Sequence, residues 1–280
     1  RVAIVTRDNR LLRLGIEGKT SLEQVSIPNI EMFTRVSHSR TGDGLAAVGY
    51  TNEGHALLFF FDDCCDSPLQ VVQVSDRAGG ITVPWVGWAP TEDQFALILS
   101  QYDSDSPSMF KNDLLVLHKN AHKEFEPLHR FSLPSGHISI KSDHEGWSPA
   151  GNELAIPGRN QDGPFVVSVD ILKKTAERYR VDHAAKPGGL VGLSWASWGE
   201  LKASTSGMDT VILDQSNSVP VHRAPLICDD GDRDVELEGE GFVNFSDFPT
   251  TLAWHPTVPR LVVGSRGKLC LFKVDWRGEH

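Results

Sequence analysis

Residues Glu145–Gly158, EGWSPAGNELAIPG, contain one complete structural unit. Pro149 has no N–H to give to a sheet ladder, so a strand that ends at Trp147 leaves its sheet there. Ala150-Gly151-Asn152 is turn chemistry, because Gly and Asn tolerate the positive φ of a tight hairpin. Glu153-Leu154-Ala155 then opens a second, apolar strand. Trp147 brings a large ring to bury between packed sheets and an indole N–H that needs a partner. The stretch reads as a hairpin whose first strand lies deep and whose second returns through the core.

The same spacing recurs along the chain. Trp88-Ala-Pro90 leads into Phe95-Ala96-Leu97, and Trp254-His-Pro256 into Leu261-Val262-Val263. His38-Ser-Arg40-Thr-Gly42 leads into Leu45-Ala46-Ala47, with Gly42 standing where Gly151 stands. Trp195-Ala-Ser-Trp198-Gly199 leads into Leu201-Lys202-Ala203, one residue tighter. The anchors His38, Trp88, Trp147, Trp195 and Trp254 lie roughly 50 to 60 residues apart, the upper end of propeller repeat lengths. Five copies in one register point to an all-β fold, a β-propeller of four-stranded blades, rather than a sandwich.

Apolar runs between turn signals fill in the blades. Val2–Thr6, Leu11–Ile16 and Leu22–Ile27 read as the second, third and fourth strands of a blade lacking its first. Blade two takes Phe33–His38, Leu45–Tyr50, Ala56–Phe61 and Leu69–Val74. Blade three takes Val83–Trp88, Phe95–Gln101, Asp113–His118 and Leu128–Leu133, with a polar insertion at Tyr102–Asn112, YDSDSPSMFKN. Blade four takes His144–Trp147, Glu153–Ile156, Phe165–Ile171 and Ala176–Val181. Blade five takes Val191–Trp195, Leu201–Thr205, Thr210–Asp214 and Val221–Ile227. The acidic run Asp229–Glu240, DDGDRDVELEGE, precedes blade six, which takes Thr251–Trp254, Leu261–Gly264 and Lys268–Val274. The count is six blades; a seventh would need residues beyond the ends or a strand near Phe242–Phe248. One propeller domain accounts for residues 1–280, and the Arg at position 1 fits a piece of a longer chain.

Composition narrows the function. A formal net charge of −10 argues against a general nucleic-acid binder, whose phosphate contacts are made mainly by Lys and Arg. Four Cys in 280 residues, with Cys64 and Cys65 adjacent and Cys228 and Cys270 alone, form neither a disulfide framework nor a C-x-x-C pair. They read as reduced thiols of an intracellular protein. The longest apolar run, Ala56–Phe61, is far short of a bilayer span, and no signal peptide opens the sequence.

Motifs that could carry chemistry fail on inspection. Asp230, Asp232 and Asp234 take the first alternating positions of a calcium loop, but Val235 replaces its Gly and Gly241 its bidentate Glu. His118 and His122 have the spacing of a helical metal pair, yet Leu114–Leu117 reads as strand and Lys119 stands where the catalytic Glu would be. Carboxylates around Cys64 and Cys65 raise a thiol pKa, the wrong direction for a nucleophile. There is no G-x-S-x-G, no P-loop and no G-x-G-x-x-G. Asn244-Phe-Ser246 matches a glycosylation sequon by chance. Lys173, Lys174, Arg178 and Arg180 alternate as an exposed outer edge would. No catalytic, cofactor or metal set emerges.

Trp147–Ala155, Trp-Ser-Pro-x-Gly-x-x-Leu-Ala, resembles the commonest hairpin of WD40 repeats and of TolB-type propellers, and Leu252–Thr257, LAWHPT, resembles intracellular WD40 proteins. That resemblance implies a rigid ring presenting loops and faces to other proteins in a multi-subunit complex of the cytoplasm or nucleus. The loops expected to dock partners supply Tyr102, Asp103, Asp105 and Phe110, and Asp229, Asp230, Asp232, Asp234, Glu236, Glu238 and Glu240. Two rivals stand beside this scaffold reading. One is a propeller hydrolase or lyase whose central channel gathers His38, Asp143 and His144. The other is a TolB-like or peptidase-associated propeller from a larger protein.

Overall fold

The computed structural model describes residues 2–6, 8, 10–15, 21–62, 67–75, 80–102, 110–138, 140, 146–180, 190–196, 201–206, 209–214, 220–225, 235–236, 251–254, 260–265 and 268–273. Every regular element among them is a strand. The first sheet holds β1 (Val2–Val5), β2 (Leu11–Gly15) and β3 (Ser21–Val25). The second holds β4 (Ile30–His38), β5 (Gly44–Thr51), β6 (Ala56–Asp62) and β7 (Gln70–Gln73). The third holds β8 (Ile81–Trp88), β9 (Gln94–Tyr102), β10 (Phe110–Lys119) and β11 (Phe125–Leu133). The fourth holds β12 (His137–Ile138), β13 (Glu153–Asn160), β14 (Gly163–Asp170) and β15 (Thr175–Arg180). The fifth holds β16 (Leu190–Trp195), β17 (Leu201–Ser206), β18 (Asp209–Asp214) and β19 (Pro220–Pro225). The sixth holds β20 (Val235–Glu236), β21 (Thr251–Trp254), β22 (Arg260–Ser265) and β23 (Lys268–Lys273). Sheets one to five are antiparallel meanders; in the sixth, β20 joins β23 in parallel. The chain packs as two compact units, Arg1–Ser135 with Ser142–His144, and Gly136–Lys141 with Glu145–His280.

One register sets the meander. His38 lies opposite Leu45, Trp88 opposite Phe95, Trp147 opposite Leu154, Trp195 opposite Lys202 and Trp254 opposite Leu261. The fifth hairpin is therefore not tighter than the others: Trp195 faces Lys202, and Leu201 lies one step beyond the pair. In three of these turns the hydrogen bonds repeat as well. Ser39 N–H donates to Gly44 O, Ala89 N–H to Gln94 O and Ser148 N–H to Glu153 O, at 2.8–3.0 Å. Gly42 and Gly151 adopt the left-handed conformation that the turn requires, and Glu92 holds the same position in the third sheet at φ 61°.

The first sheet uses a different turn. Thr6 N–H donates to Arg10 O, and Thr6 Oγ1 accepts the Arg10 N–H at 3.1 Å. Thr51 and His55 make the same pair of bonds between β5 and β6. The β1–β2 connection is thus a second-to-third-strand turn, as the sequence suggests for a sheet lacking its innermost strand.

Strands β5 and β6 are buried on both faces. Leu45, Ala47, Phe59 and Phe61 join Ala3, Leu11 and Val25 of the first sheet in one core. Ala46, Val48, Leu58 and Phe60 point the other way, to Trp88, Phe95, Leu97 and Phe125 of the third sheet. Two-sided burial is why Ala56–Phe61 is a continuous apolar run rather than an alternating one. At the outer rim the Gln70 carboxamide clasps Phe125: Nε2 donates to its carbonyl at 2.6 Å, and Oε1 accepts its N–H at 2.7 Å.

Two of the anchors tie a sheet to its predecessor within one unit. Trp88 Nε1–H donates to Ser37 O at 3.2 Å, the residue before the previous anchor. In the second unit Trp195 Nε1–H donates to Gly146 O at 2.9 Å, again the residue before an anchor. His38 meets β1 instead, and its Nε2 accepts the Ala3 N–H at 3.0 Å.

Two expected strands differ. Of His144–Trp147, residues 146 and 147 are described: Gly146 takes φ 107° and accepts the Ala155 N–H, and Trp147 makes a single bridge to Leu154 of β13. The missing pairing comes from His137 and Ile138 against Arg159 and Gly158. The sixth sheet does have a fourth strand, because Val235 and Glu236 leave the acidic run to lie beside Phe272 and Lys273.

Candidate partner-binding cleft

The inner strands of the second and third sheets both bulge at the same end of the first unit. In β4 the ladder skips Glu31 and Thr34; in β8 it skips Val83 and Pro84. Pro84 has no N–H for the ladder, so β8 must bulge there, and a bulge redirects the neighbouring side chains. Side chains from the second sheet take up the backbone groups this frees. Tyr50 Oη accepts the Val83 N–H at 3.0 Å, and Arg35 Nε donates to Pro84 O at 3.0 Å. Arg35 Nη1 also donates to Thr34 O at 2.7 Å, so its guanidinium is held against the wall.

Between the parted strands lies a cleft of about 560 Å³, closed at one side by the β5–β6 turn. That volume is in the range of small-molecule and side-chain pockets. Met32, Tyr50, Ile81, Val83 and Pro84 give it apolar walls, while Glu31, Asn52 and Glu53 stand at its margin. Burial pushes the Tyr50 phenol above its ordinary pKa, against the opposing pull of the Val83 N–H, the Thr34 hydroxyl and the Arg35 charge. Thr34 Oγ1 is itself buried, close enough to the Tyr50 phenol to bear on its pKa. Glu31 and Glu53 are exposed, and His55 lies 3.7 Å from Glu53. Two carboxylates against one engaged guanidinium leave the margin acidic.

Of the residues expected from sequence to dock partners, Tyr102, Phe110 and Glu236 are described, and none of these three lines the cleft. Tyr102 and Phe110 are not the ends of a long free insertion: strands β9 and β10 zip up to them, pairing Tyr102 directly with Phe110. Their rings meet edge to face at 6.0 Å, with Tyr102 half exposed. Asn112 is buried, its Oδ1 accepting the Ser100 hydroxyl and its Nδ2 donating to Phe110 O and Pro134 O. Asp103 and Asp105 lie outside the described residues. Glu236 sits in β20 opposite Lys273; Asp229, Asp230, Asp232, Asp234, Glu238 and Glu240 lie outside the described residues, as do Cys64, Cys65, Asp143, His144 and 242–248. His118 is on β10 with Nε2 at 3.4 Å from Glu126, and His122 is in the following turn, so no helical face unites them.

Sequence reading misses the cleft because it starts β4 at Phe33 and β8 at Val83, two or three residues late. The available signal is Pro84 within ITVPWVGW, an apolar run that continues on both sides of a residue the ladder cannot hold.

No family model matches this chain, and no curated protein matches it in sequence. Solved structures do. Hydrazine synthase from Kuenenia stuttgartiensis matches at TM-score 0.59 and 12% identity, over 98% of this chain and 83% of that one. Chaetomium thermophilum Raptor matches at TM-score 0.55 and 9% identity, over 87% of this chain and 20% of that one. A chain of the nidogen/laminin complex matches at TM-score 0.50 and 11% identity, over 95% of this chain and 86% of that one. Together with the all-β sheets, one of three strands and five of four, these define the class: a β-propeller fold. Identities this low describe the fold alone, which hosts many unrelated functions.

Proposed function

We propose that this chain is a non-enzymatic interaction module, a scaffold or subunit that holds protein partners within a larger intracellular assembly. The observation that carries the reading is the cleft. It is an apolar recess with an acidic margin, set between two rigid sheets whose bulges are braced by Tyr50 and Arg35. Such a recess suits binding energy concentrated in a few buried side chains of a partner. The acidic run at 229–240 and the Tyr102–Phe110 hairpin remain further candidate contacts on the same module.

The test is affinity capture from source-cell lysate with three versions of the chain: intact, lacking 229–240, and carrying Glu31→Lys with Glu53→Lys. A stoichiometric protein retained by the intact chain and lost from one of the altered versions is the expected result. No protein retained by any version, together with a melting shift from a metabolite collection, would replace the scaffold reading with an enzyme or sensor.

A further inference from the structure

Resting on that reading, we propose that the cleft between β4 and β8 takes an extended segment of a partner protein in which one apolar side chain is flanked by Lys or Arg. Met32, Ile81 and Pro84 offer apolar surface with no competing charge, which fits an aliphatic anchor. Burying such a side chain favours binding because its apolar surface leaves water.

Charge decides the flanking residues. Glu31 and Glu53 stand at the margin with no Lys or Arg ion-paired to them among the described residues, and the cation in the cleft lining, Arg35, is committed to the Pro84 and Thr34 carbonyls. An anionic ligand, whether a carboxylate, a phosphate or a nucleic-acid backbone, would meet two carboxylates and gain little from Arg35. A cationic segment gains from both, and charge complementarity of this kind sets specificity and encounter rate. The chain's net charge of −10 adds a long-range attraction of the same sign, so local and global terms must be separated in the test.

Fluorescence anisotropy on the full chain separates them. The probes are three labelled peptides, Gly-Ala-Lys-Leu-Arg-Ala-Gly, the same with Ser for Leu, and the same with Glu at both cationic positions. The variants are Glu31→Lys/Glu53→Lys at the cleft and, away from it, Glu124→Lys in the exposed β10–β11 turn with Glu126→Lys at the start of β11, which change net charge equally. Saturable binding of the Leu-containing basic peptide is expected, weakened about tenfold or more by the cleft pair and less than about threefold by the distant pair. The Ser and Glu peptides are expected to bind at least about tenfold more weakly. Equal weakening by both variants, or no saturable binding of the basic peptide, overturns the proposal. If the Lys pair lowers the melting temperature, Glu31→Gln/Glu53→Gln gives the same comparison without reversing charge. A captured partner indifferent to the cleft variants would leave the scaffold reading standing and remove this proposal, whereas peptide binding without any captured protein would do the reverse.

Discussion

Replacing Trp88 separates the two roles of an anchor residue. Its ring packs edge to face against Phe60, Phe95 and Phe125 at centroid distances of 5.8, 5.3 and 5.4 Å. Its Nε1–H donates to the carbonyl of Ser37, a residue with no exposed surface. Trp88→Phe keeps most of the aromatic packing but takes the indole donor away from a carbonyl that water does not reach. Leaving a buried acceptor short of a partner costs about 1–3 kcal/mol. Trp88→Ala also empties the ring site, and Gly44, whose backbone lies against the indole edge, has no side chain to fill it. A buried Trp→Ala change costs about 3–5 kcal/mol. Urea unfolding followed by far-UV circular dichroism should therefore rank wild type, Trp88→Phe and Trp88→Ala in two clear steps. If Trp88→Phe lies within about 0.5 kcal/mol of wild type, the hydrogen bond is not a tie between sheets; if it matches Trp88→Ala, the ring packing is not the larger part.

Three further outcomes follow from the same geometry. Glu92 holds a left-handed turn position and accepts hydrogen bonds from Thr41 N–H and Oγ1 at 2.6 and 2.9 Å; Glu92→Ala should cost about 1 kcal/mol, whereas Glu92→Gly should stay near wild type because relief of the positive φ offsets the lost contacts. A Cβ on Gly158 would sit 2.5 Å from Phe165 Cζ and 3.0 Å from His137 O, so Gly158→Ala should destabilise the chain by about 1–3 kcal/mol in the same unfolding assay. Burial raises the Tyr50 pKa above its unfolded value, so stability from this group is full below about pH 10 and declines as pH rises through the higher folded pKa. Absorbance at 295 nm should show a late-titrating phenol, and Tyr50→Phe should remove that late step.

What was legible in the sequence is what recurs. The anchor and the residue seven places on are opposite one another in five sheets because six residues separate them, a five-residue turn and the first residue of the next strand, and spacing survives even where His38 replaces Trp. The two-sided burial of Ala56–Phe61 and the missing inner strand of the first sheet were readable for the same reason. Departures from periodicity were not. Glu92 hides in a place reserved for Gly because two hydrogen bonds to the next turn hold it there. Gly146 looks like ordinary strand sequence until its positive φ interrupts the run. The Gly136-His137 pair that opens the fourth sheet was passed over, although Gly136 admits no side chain with Arg159 O only 2.4 Å from a Cβ. The cleft depends on two bulges meeting across neighbouring sheets, and strand periodicity in one segment carries no information about the bulge in another. Val235 and Glu236 pair in parallel with a strand more than thirty residues away, a long-range match that alternation cannot register.

Hydrogen exchange on the chain alone and bound to a captured partner tests the central claim most directly. The expected result is new protection concentrated at residues 31–35, 50–54 and 80–84, the three segments that line the cleft. Protection that leaves all three segments unchanged, with a partner demonstrably bound, would contradict the assignment of this cleft as the docking site.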